Sequence, residues 1–141
     1  MSSIIHAEYP VEKGDYTRAG EASADIKRRL KQLGVGSNVM RKVAVASYEV
    51  ELNLVIHSLG GKLMLDVGPE GILLVSEDVG PGIPDISMAM REGYSTASEE
   101  ARSLGFGAGM GLPNMKRNAD AFDIQSELGK GTRISMRFNL A

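Results

Sequence analysis

Glu49 and Asn53 stand four positions apart in the segment SYEVELNLVIH, which puts them one turn apart on a common face of a helix. Glu51 is two positions from Asn53 and points elsewhere, while His57 continues the stripe by another turn. Val43, Val45, Val50, Leu52, Leu54, Val55 and Ile56 make the same segment apolar on most sides. A carboxylate and a carboxamide in such surroundings need partners, because an unpaired buried polar group costs about 1–3 kcal/mol. Structural hydrogen bonds would meet that need. So would a magnesium ion held by one or two side-chain oxygens, with phosphates and waters completing its octahedron. The pair alone leaves both open.

Two glycine clusters offer a second kind of chemistry. In EDVGPGI a strand ends at Asp78, and Gly80 and Gly82 let the backbone turn and approach another group closely. Asp78 could accept a hydrogen bond from an exocyclic amine such as that of adenine, although Asp, Gly and Pro are the standard turn residues and, taken alone, this cluster reads as an ordinary turn closing a strand. In GFGAGMGLPNMKR the glycines at 105, 107, 109 and 111 precede a helix expected from about Leu112 to Asn118, with Pro113 in its first turn. Glycines before a helix start expose backbone N–H groups, and the positive end of the helix dipole favours an anion there. A phosphate cradle and a flexible linker both fit, but the sharp end at a helix start favours the cradle. The spacing matches neither a Walker A loop nor a dinucleotide-binding fingerprint.

The elements that must hold these residues follow from periodicity. Residues 3–9 read as a strand closed by Pro10 and Gly14. Ala19, Ala22, Ile26, Leu30 and Leu33 recur at helical spacing over Asp15–Leu33, with Gly34 and Gly36 as the stop. The basic cluster KRRLK at 27–31 reads as a solvated face of that helix. Asn38 is the expected cap of a second helix that runs to about Ser58. KLMLDV and GILLVSED across GPEG form one hairpin, and FDIQSEL and TRISMRFNL across GKG form another. Ile134, Met136, Phe138 and Leu140 alternate with Arg133, Ser135, Arg137 and Asn139, the pattern of an antiparallel strand with one dry face. Strand, two helices, hairpin, glycine-rich middle, short helix and hairpin predict a two-layer α/β sandwich, with helices on one face of a mixed, mostly antiparallel sheet.

Composition narrows the function. The 141 residues suit one domain, and 16 basic against 18 acidic residues give a net charge of −2, which is no basic field for nucleic acid. With no cysteine, disulfides, thiolate metal sites and thiol catalysis are excluded. No apolar run of membrane-spanning length and no signal peptide is seen, so a cytoplasmic location is expected, without nucleic-acid or membrane partners.

Taken in order, Glu49-x-x-x-Asn53, Asp78-x-Gly80-x-Gly82, Gly107-x-Gly109-x-Gly111-Leu112 and GKGT ending at Thr132 resemble the N, G1, G2 and G3 boxes of the GHKL ATPase/kinase superfamily. That superfamily includes gyrase-type ATPases, histidine kinases and MutL. The resemblance covers roughly residues 40–140, and it implies a Bergerat-type ATP-binding fold. With neither a histidine-bearing dimerisation helix nor a transducer domain in the sequence, residues 1–141 read as a single kinase domain. They look like the anti-sigma-factor serine/threonine kinases, most of all the stressosome switch-kinase (RsbT-like) branch.

The resemblance implies ATP and magnesium as cofactors and a role for each matching residue. Glu49 would be the general base that takes a proton from a substrate serine or threonine. Asn53 would ligate the magnesium. Asp78 would accept from the adenine amine, with Gly80 and Gly82 at its turn, Gly82 beneath the base, and Thr132 helping through its hydroxyl or a water. Gly105, Gly107, Gly109 and Gly111 would line the phosphates together with Met110 and Leu112, and Arg91–Leu104 would be the lid. His57 reads as structural, and Lys116 and Arg117 as surface residues. The lid, with its ASEEARS stretch, is longer and more acidic than the branch pattern.

The implied function is phosphorylation of a STAS-domain antagonist protein in a bacterial partner-switching system. A sigma factor or a downstream phosphatase is a further candidate partner, and family members commonly form homodimers. Two other readings compete: a nucleotide-sensing module that sequesters a regulator without phosphotransfer, and a plain ATPase. Glu49 favours the kinase over the module, since pure binding needs no base.

Overall fold

The structure, a computed structural model, describes residues 5–80, 90 and 111–140, with Tyr16 and His57 described in their backbone alone. Five strands form one sheet in the order β1-β2-β3-β5-β4: β1 is Ile5–Val11, β2 Gly61–Gly68, β3 Gly71–Asp78, β4 Ala121–Glu127 and β5 Gly131–Asn139. All four pairings are antiparallel, so among the described residues the parallel pair allowed for in a mixed sheet does not occur. Three helices complete the fold: α1 over Glu21–Gln32, α2 over Ser37–His57 and α3 over Gly111–Asn118.

Alternation decides which sheet face the helices cover. Leu63, Leu65 and Val67 of β2, Ile72 and Leu74 of β3, and Ile134, Met136 and Phe138 of β5 point to one side and are buried. They share a core with Ile26 and Leu30 of α1, Val43, Val50 and Leu54 of α2, and Leu112 and Met115 of α3. The opposite face carries cross-strand polar pairs, among them Lys62 Nζ with Glu8 Oε1 at 3.1 Å, His6 Nδ1 with Asp66 Oδ1 at 2.7 Å, and Arg133 with Glu77. Such exposed pairs are screened by solvent and contribute little, so the helix-facing side holds the domain together.

The boundaries depart from expectation in three places. β1 runs through Pro10 to Val11, because β1 is an edge strand and the missing N–H of an exposed proline there breaks no ladder. The first helix begins at Glu21 rather than Asp15: Gly20 takes φ +100°, and Tyr16–Arg18 form a separate 3-10 turn. At its other end Gly34 takes φ +76°. Its N–H donates to the Lys31 carbonyl and that of Val35 to the Leu30 carbonyl, both at 3.1 Å, which is a Schellman ending. Gly36, not Asn38, caps α2; Asn38 lies inside the first turn, where its Oδ1 accepts from Arg41.

The two ends of the sheet are distinguishable. Asp78, the last residue of β3, lies where α2 returns to the sheet: Leu59 donates to the Val79 carbonyl at 2.7 Å and Val79 to the Gly60 carbonyl at 3.0 Å. α3 finishes at the other end, where the Asp120 N–H reaches the Arg137 carbonyl at 2.8 Å and the Asp120 carboxylate accepts from the Asn139 N–H at 2.7 Å. α2 and α3 therefore run antiparallel, and the N-terminus of α3 lies toward Asp78. Among the described residues no helix is long and apolar enough to cross a membrane.

Candidate nucleotide site

Asp78 is held from both sides. On β5, the Thr132 N–H donates to Asp78 Oδ1 at 3.0 Å, and Asp78 shares its side of β3 with Ile72 and Leu74. A Cβ added to Gly131 would fall on the Asp78 carbonyl oxygen, and the φ of +150° at Gly131 disfavours any side chain. On β2, a Cβ at Gly61 would fall on the Glu77 carbonyl and lie 3.0 Å from Asp78 Cα. Glycine is thus required on both neighbouring strands for the close approach to Asp78. Burial pushes the Asp78 carboxyl up from its ordinary value, partly countered by the Thr132 hydrogen bond. Among the described residues Oδ2 has no partner, so one oxygen of a half-buried carboxylate is left to accept from another group.

Thr132 stands on β5 opposite Ser126 of β4. Its Oγ1 lies 2.9 Å from Ser126 Oγ across the β4–β5 pair, and Ser126 also donates to the Gly131 carbonyl at 3.3 Å. Gly80, which is buried, donates its N–H to the Lys130 carbonyl at 3.1 Å and ties the chain after Asp78 to the β4–β5 turn.

α2 separates its three polar residues by face. Glu51 is 3% exposed, and its two carboxylate oxygens accept from the N–H groups of Ala22 and Ser23 at 3.1 and 3.0 Å. Those are the second and third residues of α1, whose own N-cap, Gly20, offers no side chain. Glu51 is therefore a cap supplied from another helix, and its charge also meets the positive end of the α1 dipole. Glu49 and Asn53 share a different, half-exposed face. Asn53 makes no side-chain hydrogen bond among the described residues and lies one turn nearer than Glu49 to the Asp78 end. Glu49 Oε1 accepts from Asn114 Nδ2 of α3 at 3.3 Å.

α3 presents its start to this region. Leu112 and Met115 are buried and Lys116 and Arg117 exposed, so the helix is anchored by one apolar face while its basic residues face outward as expected. Gly111 is its first residue, and the antiparallel arrangement brings that end beside the Asn53 turn of α2. Asp78, Gly80 and Thr132 thus stand together at one end of the sheet, while Glu49, Asn53, Gly111 and Leu112 belong to the neighbouring helices α2 and α3 that cover one of its faces. Gly82, Gly105, Gly107, Gly109 and Met110, and the lid over Arg91–Leu104, lie outside the described residues, as does the side chain of His57.

The residues present suit a magnesium nucleotide. Among the described residues no three His, Asp or Glu come together as a metal site, so a cation here would depend on Asn53 and on ligands carried by phosphate and water. Sequence reasoning missed two contacts: the cap from Glu51 and the amide of Asn114 on Glu49. Each joins residues remote in sequence, and no local pattern marks them.

Residues 48–141 match the family described as histidine kinase-, DNA gyrase B- and HSP90-like ATPase. The chain is 35% identical over 108 residues to the serine/threonine-protein kinase RsbT of Bacillus subtilis, covering 74% of this chain and 75% of that one. It is 31% identical over 121 residues to an anti-sigma F factor of Clostridium kluyveri, with 82% of each chain covered. A similar protein of Clostridium novyi, also an anti-sigma F factor, is 29% identical over 79% of this chain and 78% of its own.

Proposed function

Because the chain belongs to the histidine kinase-, DNA gyrase B- and HSP90-like ATPase family, within its serine/threonine-kinase and anti-sigma-factor branch, we propose that it is an ATP-dependent protein kinase that phosphorylates a STAS-domain antagonist in a partner-switching system. The observation that carries the reading is the sorting of two glutamates on α2: Glu51 is consumed as a cap, while Glu49 faces the start of α3 on the same stripe as Asn53.

The roles are those the family motifs imply for the matching residues. Asp78 Oδ2 accepts from the adenine amine while Oδ1 stays on the Thr132 N–H. Gly82 packs beneath the base, and the Thr132 hydroxyl adds a contact at the rim. Asn53 would hold magnesium, which would supply charge to neutralise the phosphates. Gly105, Gly107, Gly109, Met110 and Gly111 line the phosphates, with Leu112 seating the helix that follows. Glu49 takes the proton of the substrate hydroxyl as its oxygen attacks the γ-phosphorus and the bond to the leaving ADP oxygen breaks. Phosphoryl transfer relies on positioning and electrostatics, so this sparse equipment suffices.

The test is phosphotransfer from Mg-ATP labelled in its γ-phosphate to each STAS-domain protein of the same genome, with Glu49→Gln in parallel. Label on one partner with the wild type, and only a small residual rate with Glu49→Gln, is the expected result. Label on no partner overturns it. A second reading draws on the similarity to anti-sigma F factors: the protein also holds a sigma factor. Co-elution with a sigma factor that is never labelled would support that reading.

A further inference from the structure

The amide of Asn114 is committed at both ends. Its Oδ1 accepts from Arg117 Nη2 at 3.0 Å and its Nδ2 donates to Glu49 Oε1 at 3.3 Å, while its backbone carbonyl accepts from Asn118 Nδ2 at 2.8 Å. A guanidinium can only donate and a carboxylate can only accept, so the two partners fix which way the amide faces. Glu49 has no other side-chain partner among the described residues. Oε1 is thereby tethered and Oε2 is left for a proton. Asn114 stands three residues after Gly111, in the first turn of the helix whose start faces the site.

We infer that Asn114 is a positioning residue that ties the orientation of the Glu49 carboxylate to the seating of α3, so that the base is aligned when the phosphate-facing start of that helix is in place. The inference rests on the reading of Glu49 as general base. Its physical content is a lever one helical turn long: α3 is anchored in the core through Leu112 and Met115, and any shift of its first turn carries the amide with it. A donor 3.3 Å from its acceptor is at the long end of hydrogen bonding. A small inward movement of α3 would therefore strengthen the tether, and an outward one would release it. Arg117 holds the amide in the donating sense, although the sequence marks it as no more than a surface cation.

The experiment is a double-mutant cycle in the phosphotransfer assay, using the STAS-domain protein that the wild type labels. Asn114→Ala is expected to lower kcat about tenfold to a hundredfold, the range that a small misplacement of a reacting group produces, with KM for ATP within twofold of wild type. In the Glu49→Gln background Asn114→Ala should change nothing further, because the group it positions is already gone. Arg117→Gln, which keeps the fold if Asn114→Ala does not, should lower kcat in the same direction by a smaller factor, about threefold. A kcat within twofold of wild type for Asn114→Ala, or an equal drop in both backgrounds, overturns the inference and leaves the kinase reading intact. Wild-type transfer by Glu49→Gln would instead remove the base assignment on which the inference stands.

Discussion

Two glutamates of α2, separated by one residue, should respond oppositely to the same change. Glu51→Ala removes the acceptors of two buried backbone donors, Ala22 N–H and Ser23 N–H, at a helix start whose cap residue is a glycine. A lost cap costs about 1 kcal/mol and an orphaned buried N–H about 1–3 kcal/mol, which together suggest about 2–4 kcal/mol for Glu51→Ala. For a domain of this size each kcal/mol moves Tm by about 4 °C, so the melting point should fall roughly 8–16 °C. Glu51→Gln keeps one carbonyl oxygen and should cost about half as much. Glu49 sits on an accessible face with one long side-chain hydrogen bond, so Glu49→Gln should shift Tm by no more than about 2 °C, as surface substitutions do. Phosphotransfer should show the reverse order, reduced to a small residual rate in Glu49→Gln and retained by Glu51→Gln below its melting point. Thermal unfolding by circular dichroism and the labelled transfer assay measure both quantities on the same preparations. A Glu51→Ala protein melting within 2 °C of wild type would refute the capping argument. Transfer lost in Glu51→Gln and kept in Glu49→Gln would refute the assignment of the base.

Further outcomes follow from the same contacts. Asp78→Asn should weaken ATP binding about tenfold to a hundredfold, the loss of one hydrogen bond to a charged acceptor, as read by calorimetric titration. Because burial raises the Asp78 carboxyl, ionising it opposes folding increasingly as pH rises through its folded value; Asp78→Asn should therefore melt no lower than wild type at neutral pH. Gly131→Ala should cost about 2–5 kcal/mol, from the clash with the Asp78 carbonyl and the positive φ, and urea titration should show it. Tyr9 donates to Asp25 Oδ2 at 2.6 Å, and burial followed by the Asp25 carboxylate pushes its phenol up to about 12. That contribution to stability is present below the ordinary tyrosine value and lost as pH rises through about 12. One tyrosine should titrate there by ultraviolet absorbance and vanish in Tyr9→Phe. Asp25, held well below the carboxylate range by Tyr9, Arg29 and Arg28, contributes stability that is present at neutral pH and lost only in strong acid.

Much of the scaffold is legible because its signals are local. Alternation gives β5 and both hairpins, and the four-residue spacing places Glu49 and Asn53 on one face whatever surrounds them. The misread boundaries are places where distant structure decides. Ala19 and Ala22 keep helical spacing across Gly20, and the periodicity runs through a residue that the backbone turns left-handed. Pro10 looks like a stop until β1 is known to be an edge. Glu51 looks like an idle polar residue until α1, nearly thirty positions earlier, is packed against it. In the site, Asp78 is legible as a strand end. Its glycine neighbours at 61 and 131 are not, since the need for them comes from strand pairing rather than from turns.

The sheet order has a consequence for how the chain assembles. β2–β3 and β4–β5 are tight hairpins that can zip early, whereas β3 against β5 must wait for a long loop to close. The Asp78–Thr132 bond lies at one end of that late seam. A nucleotide docking on Asp78 would grip both hairpins at once, so its binding free energy would bear on the slowest-forming junction of the molecule. Amide exchange at Thr132 would then report sheet closure and nucleotide occupancy through a single proton.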